Sequence, residues 1–423
     1  MKNSVKTILL ISIIVFAQGL QGQEITQESA PVEREIMEMV KQMTDRNHLT
    51  FSNPIEEHIV QKSLYPILKY LKQTYPDEQW KSCTEHLHKG ESLSKTLIDV
   101  YRRTPAQVII ELIQSLREDL PASSQGTMIE KEINGFMISF HDKEQPNTDY
   151  LYIEYLIKTY SEGIGKFFWN EEPKKTRYQN NLKNIKGGCI RVLFITDADE
   201  LNKVFRFKWQ TAVTNMNLKK VGDQLYIEIS LLFPYPHLII TSTFAHELAH
   251  VIQLLSMVDD GLTQPFSVSQ MNSDQTKERI KDLISGMSSL GGGPLNEGMA
   301  EFLSEQHNLM YKYRFIDDID TQLCQYFRRT GNSFELKNLP QKIKDPDIDT
   351  RIVGYHVAHS FFRYIFTRFG KDKALRLMAS PERNQDYQDI LGINLETLDK
   401  DWYQYIRSKE ESSGISRPES NSS

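Results

Sequence analysis

The chain has 423 residues, 39% hydrophobic and 25% charged, with a formal net charge of −6 at pH 7. That length allows two or three domains with a sizeable core, the composition is that of an ordinary globular protein, and the acidic balance leaves no basic footprint for nucleic acid. Three cysteines, Cys83, Cys189 and Cys324, are too few for a disulfide framework and read as buried or free thiols, with room for one disulfide at most.

Residues 1–22 have the anatomy of a signal peptide: Lys2 and Lys6, an apolar run over 7–17, then small residues at Ala17, Gly19 and Gly22. The run is too short to span a bilayer, and no later segment is long and apolar enough to do so. The expectation is a secreted or periplasmic protein with no stable membrane span after cleavage. A polar leader over 24–31 follows. Residues 32–120 carry apolar side chains at helical spacing, as in Ile36, Val40 and Met43 or Val108, Leu112 and Leu116. Pro54, Pro66, Pro76 and Pro105 mark breaks or first turns. This reads as a separate all-α N-terminal domain of unknown role.

Residues 121–126 (Pro-Ala-Ser-Ser-Gln-Gly) read as a linker, and the texture then changes. Residues 128–141 alternate like one strand, 150–168 form an amphipathic helix, and 190–195 form a β-branched strand. Residues 224–230 alternate like a half-exposed strand. A helix over about 239–257 comes next, and the rest is mostly helical up to a polar tail, 411–423, that reads as disordered. Asp345, Asp347 and Asp349 begin like a calcium loop but lack its glycine and terminal glutamate, so they read as a turn.

The chemistry sits in Phe-Ala-His-Glu-Leu-Ala-His-Val, residues 244–251. On a helix His246 and His250 project from one face a turn apart, the spacing at which two imidazoles reach one tetrahedral zinc. Glu247 lies about 100° round the helix from His246, beside the metal rather than on it, where it can take a proton from a zinc-bound water. A catalytic zinc needs a third protein ligand. Glu297, in Pro-Leu-Asn-Glu-Gly-Met-Ala-Glu-Phe over 294–302, is the candidate. Glu301, one turn on, can orient a ligand histidine. Tyr355, His356 and His359 compete for the role of oxyanion or substrate contact.

These two segments together resemble the gluzincin metallopeptidases, the superfamily of thermolysin and aminopeptidase N. Residues 354–370 and 392–402 are similar to helices of its peptidase-MA-like branch. The resemblance covers about residues 128–408. It implies Zn2+ held by His246, His250 and Glu297, Glu247 as general base, Glu301 supporting a histidine, and Tyr355 over the site. It also implies an α+β domain over 126–410: a small mixed sheet whose edge strand, 224–230, packs on the His-Glu-x-x-His helix, then a mainly helical C-terminal subdomain. The expected activity is hydrolysis of peptide or protein substrates. Two alternatives stay open: a binding or scaffold protein with a structural zinc, and a zinc hydrolase of a non-peptide amide. The 46 residues between His250 and Glu297 exceed the spacing of compact family members, so 259–293 is a candidate lid or specificity insert. No Gly-x-Met-Glu-Asn segment is present, which argues against an aminopeptidase.

Overall fold

A computed structural model describes residues 30–46, 51–52, 54–118, 128–133, 136–141, 147–169, 172–185, 190–195, 203, 213–234, 240–290, 293–380 and 382–412. The expected signal peptide, interdomain linker and most of the polar tail, and Cys189 with them, lie outside these residues. Cys83 is a buried free thiol, and Cys324 is half-buried. No helix among the described residues is long and apolar enough to cross a membrane.

The protein is mainly helical and α+β. Its first part is α1 (Ala30–Arg46), α2 (Pro54–Thr74), α3 (Asp77–His88), α4 (Leu93–Thr96) and α5 (Pro105–Glu118). A π-helical turn, Leu97–Tyr101, extends α4 and ends on Arg102 in the left-handed region (φ +56°). Pro54 and Pro105 open helices and Pro76 caps one, as their missing N–H favours. Pro66 instead lies inside α2.

Next come β1 (Met128–Ile133), β2 (Phe136–His141), α6 (Asn147–Phe168), α7 (Glu172–Asn184), β3 (Ile190–Ile195), β4 (Val213–Val221) and β5 (Gln224–Pro234). The single strand expected over 128–141 is therefore two antiparallel strands, with Ile133 opposite Phe136. The sheet is mixed, in the order β1-β2-β3-β5-β4. The pairs β2–β3 and β3–β5 are parallel, and β4–β5 is antiparallel. Gly222, at φ +59°, opens the two-residue β4–β5 turn.

The placing of 224–230 at the sheet edge is overturned. β5 pairs with β4 from Gln224 to Leu232, and on its other side with β6 (Phe266–Ser267) at 224–225 and with β3 at 230–234. Nor is the strand half exposed. Ile227, Glu228, Ile229, Ser230 and Leu231 are all buried, so both faces are covered, and Glu228 meets Lys219 at 3.3 Å.

The helical remainder is α8 (Ile240–Met257), α9 (Asp260–Thr263), α10 (Asp274–Leu290), α11 (Pro294–His307), α12 (Leu309–Lys312), α13 (Ile319–Thr330), α14 (Leu339–Lys342), α15 (Ile348–Phe369), α16 (Lys371–Met378), α17 (Asn384–Leu391) and α18 (Leu395–Ser412). Apart from its histidine face, α8 is apolar nearly all round. Phe244, Ala245, Leu248, Ala249, Ile252 and Leu255 are buried, as a central helix requires. It packs on α6, α7 and α11, while α11 packs tightly along α15. Asp347 caps α15 by accepting from the Thr350 N–H at 2.8 Å, so the run of aspartates is a turn and helix start.

The N-terminal helices, read from the sequence as a domain of their own, pack against the rest of the chain. They share one hydrophobic core with the rest, running from Ile36 to Ile406. The Leu93 N–H donates to the Phe315 carbonyl at 2.8 Å, Ser92 and Ser94 donate to Asp317, and Arg103 and Gln107 hold Asp349 at the start of α15. Helical periodicity reports which faces are apolar, and it is silent on whether those faces meet each other or a distant part of the chain.

Candidate metal centre

His246 and His250 stand one turn apart on α8, and their Nε2 atoms are 3.2 Å apart. Glu297 reaches them from the first turn of α11: its Oε2 lies 3.2 Å from His246 Nε2 and 3.7 Å from His250 Nε2. These three atoms belong to the residues that could hold a metal ion. Bonds of about 2.0–2.1 Å at the tetrahedral angle put neighbouring zinc ligands about 3.3 Å apart. The donor set of two imidazoles and a carboxylate fits zinc in number, type and spacing.

The electrostatics point the same way. Burial opposes charge on His246, but Glu301 and Glu297 overcome it and raise the imidazole pKa well above its ordinary value. Burial likewise opposes charge on Glu297, and hydrogen bonds from His246 and His250 hold its carboxyl far below the usual range. The two carboxylates favour positive charge on the imidazole between them, among buried polar groups that are costly to leave uncompensated.

Each residue of the Asn-Glu-Gly segment has a physical task. Asn296 is fully buried. Its Oδ1 accepts from Gln253 on α8 at 3.1 Å, and its Nδ2 donates to the Met378 carbonyl at the end of α16 at 3.4 Å. Glu297 is the carboxylate of the site. A Cβ at Gly298 would collide with the Ala358 carbonyl oxygen, so the glycine lets α15 approach α11.

Glu301, one turn beyond Glu297, has Oε1 3.1 Å from His246 Nδ1. That contact is within ion-pair range, but neither His246 Nδ1 nor His250 Nδ1, both buried, makes a hydrogen bond among the described residues. Glu247 is half buried on the adjacent face of α8, and its charge is felt by Tyr355.

The three candidates on α15 part company. Tyr355 is half buried, with its ring centroid 6.4 Å from that of His246. Burial first, and then the charge of Glu297, keep its phenol protonated far above the ordinary pKa. His359 is 2% exposed and directed at Glu305, with Nε2 2.9 Å from Oε2. Arg363 pairs with the same carboxylate and reaches Asp318 and Asp320 at 3.2 and 3.3 Å. His359 therefore belongs to a buried cluster with Glu305 and Arg363. His356 is buried with no partner for Nδ1 among the described residues, and burial pushes it and His359 down to about 4. Both are neutral at pH 7.

Sequence reasoning did not single out Asn296, Gln253 or Glu305. The signal for Glu305 is its spacing, since Glu297, Glu301 and Glu305 recur every fourth residue of α11. The expected insert, 259–293, folds into α9, β6 and α10, and β6 extends the sheet beside β5. No protein-family model matches the chain, and neither a curated protein nor a solved structure matches it.

Proposed function

We propose that this chain is a zinc-dependent peptidase acting outside the cytoplasm, in the secreted or periplasmic space. The observation that carries the reading is the convergence of His246 Nε2, His250 Nε2 and Glu297 Oε2 at 3.2–3.7 Å, with a carboxylate next to His246 in the helix. A zinc ion bound there lowers the pKa of a bound water and polarises a carbonyl.

The chain's own residues then have separable tasks. Glu301, beside Nδ1 of His246, keeps the ring proton on that nitrogen and leaves the Nε2 lone pair for the metal. Glu247 accepts a proton during attack and returns it to the leaving amine. Tyr355, kept protonated by burial and by Glu297, donates its hydroxyl hydrogen to the developing oxyanion.

The test is Glu247→Gln, which keeps size and polarity but removes the base. Zinc content by elemental analysis is expected to stay at one per chain, while cleavage of a broad peptide library falls at least about 100-fold. Undiminished cleavage with zinc retained would refute the base, and purified wild type that holds no zinc would refute the site.

A further inference from the structure

Glu297 sits in the first turn of α11, where helices fray because the leading N–H groups have no partner within the helix. The cap of this helix is Gly293, which has no side chain to accept from those groups, and the next residue, Pro294, has no N–H. The first free donor is the Leu295 N–H. It is met from far along the chain by Glu382, whose Oε1 and Oε2 accept at 3.2 and 3.4 Å.

Two further observations show that the contact is built in. Glu382 holds a left-handed backbone (φ +56°), which is uncommon and costly for a residue with a Cβ. A Cβ at Gly293 would overlap Glu382 Oε1, so an alanine there displaces the carboxyl group from its present position. The Ser380 hydroxyl accepts from the Glu382 N–H at 3.2 Å, and Met378 in the same stretch accepts from Asn296. Glu382 and Met378 thus grip the first turn of α11 at Leu295 and Asn296, the two residues before Glu297.

We infer that Glu382 is a positioning residue: it caps α11 in trans and thereby holds the Glu297 carboxylate at the spacing the metal requires. This rests on the zinc reading above and deepens it. Glu382 touches neither metal ligand nor substrate. Its effect passes through the backbone of residues 293–297.

The experiment compares the mature wild type with Glu382→Gln, Glu382→Ala, Glu382→Gly and Gly293→Ala. Three readouts are taken: Zn2+ affinity by competition with a chromophoric chelator, melting temperature, and hydrogen exchange of peptides spanning 293–300 in the metal-free protein. Gln keeps an acceptor oxygen and is expected to match wild type in exchange and to within about threefold in affinity. Ala is expected to speed exchange and weaken Zn2+ binding about 10–100-fold, the usual cost of losing support behind a ligand. Gly removes the carboxylate and relieves the strained backbone, so it is expected to melt no lower than Ala yet bind Zn2+ as weakly. Gly293→Ala expels the carboxylate, so Gly293→Ala/Glu382→Ala is expected to be no worse than either single variant.

Unchanged exchange in Glu382→Ala would overturn the cap. Faster exchange with unchanged Zn2+ affinity would overturn the positioning role. Wild type without Zn2+ affinity would overturn the metal reading itself, and exchange would still decide the cap.

Discussion

A methyl group at position 298 would meet the carbonyl of Ala358, in the turn of α15 that also carries Tyr355 and His356. Backbone cannot swing aside as a side chain can, so Gly298→Ala has to push α11 and α15 apart. Overpacking of this kind costs about 1–3 kcal/mol. Here it also moves Glu297 and Glu301 relative to the histidines of α8. We expect Gly298→Ala to melt several degrees lower and to lose Zn2+ affinity at least tenfold, read by calorimetry and chelator competition. A variant that melts lower while binding Zn2+ normally would show that the close approach serves stability alone. The residues of this site were legible in sequence to the extent that its contacts are local. His246, Glu247 and His250 share one helix, and so do Glu297 and Glu301, so a fourfold spacing predicts which side chains share a face. Glu382 lies 87 positions from Leu295, and nothing in the periodicity of either segment announces that they meet. His359 shows the converse. Its spacing from Tyr355 allows a place in the site, yet the tertiary packing puts it in a buried cluster with Glu305 and Arg363.

Among the elements, α2 is tied to α6 and to residues 312–313 through one carboxylate. Glu56 is 3% exposed and accepts from Tyr155 on α6 at 2.5 Å, from Lys312 at 3.0 Å, and from the Tyr313 hydroxyl. Burial alone would push its pKa up. The hydrogen bonds from Tyr155, Tyr313 and Lys312 outweigh that and hold it below the ordinary value. A carboxyl depressed in the folded state stabilises the fold fully above its unfolded pKa, and that contribution is lost as pH falls through the folded value. Glu56→Ala strands several donors at neutral pH, and we expect a loss of about 1–3 kcal/mol. The difference between Glu56→Gln and wild type should be present at pH 7 and shrink below about pH 4, as denaturation at a series of pH values will show. A gap that does not shrink at all as the pH falls would mean packing rather than charge holds this junction. Strand order was the element-scale feature the sequence hid. The turn signals were present in Asn134-Gly135 and Gly222-Asp223; the second joins the antiparallel pair β4–β5, and the strands on either side of the first, β1 and β2, are antiparallel. A hairpin signal says which strands are neighbours but not which strand ends at the edge, and β4 took the edge expected of β5.

At the scale of the whole molecule, the question is whether residues 30–118 are a detachable module or part of one body with the rest. On the proposed peptidase reading, a helical segment before the metal centre invites the idea of an inhibitory pro-segment whose removal releases activity. The contacts argue otherwise. The N-terminal helices hold the stretch from Lys312 to Asp317 through Ser52, Glu56, Ser92, Leu93 and Ser94. They grip α13 as well, where Arg329 donates to the Asp99 carbonyl at 2.9 Å, and they hold the first turn of α15 through Arg103 and Gln107. α15 carries Tyr355, and Asp318 and Asp320 follow the gripped stretch and steady Arg363 beside Glu305. None of these contacts places an N-terminal side chain against His246, His250 or Glu297, as an inhibitor would need. Removing the layer strips cover from core side chains such as Phe315, which is 1% exposed, and leaves Asp317 and Asp349 without their partners. We therefore expect a chain truncated to residues 119–423 to aggregate or to melt without a cooperative transition, and to cleave less than the full-length protein. A soluble, cooperatively folded fragment with higher peptidase activity would reverse this view and make the N-terminal helices a removable restraint.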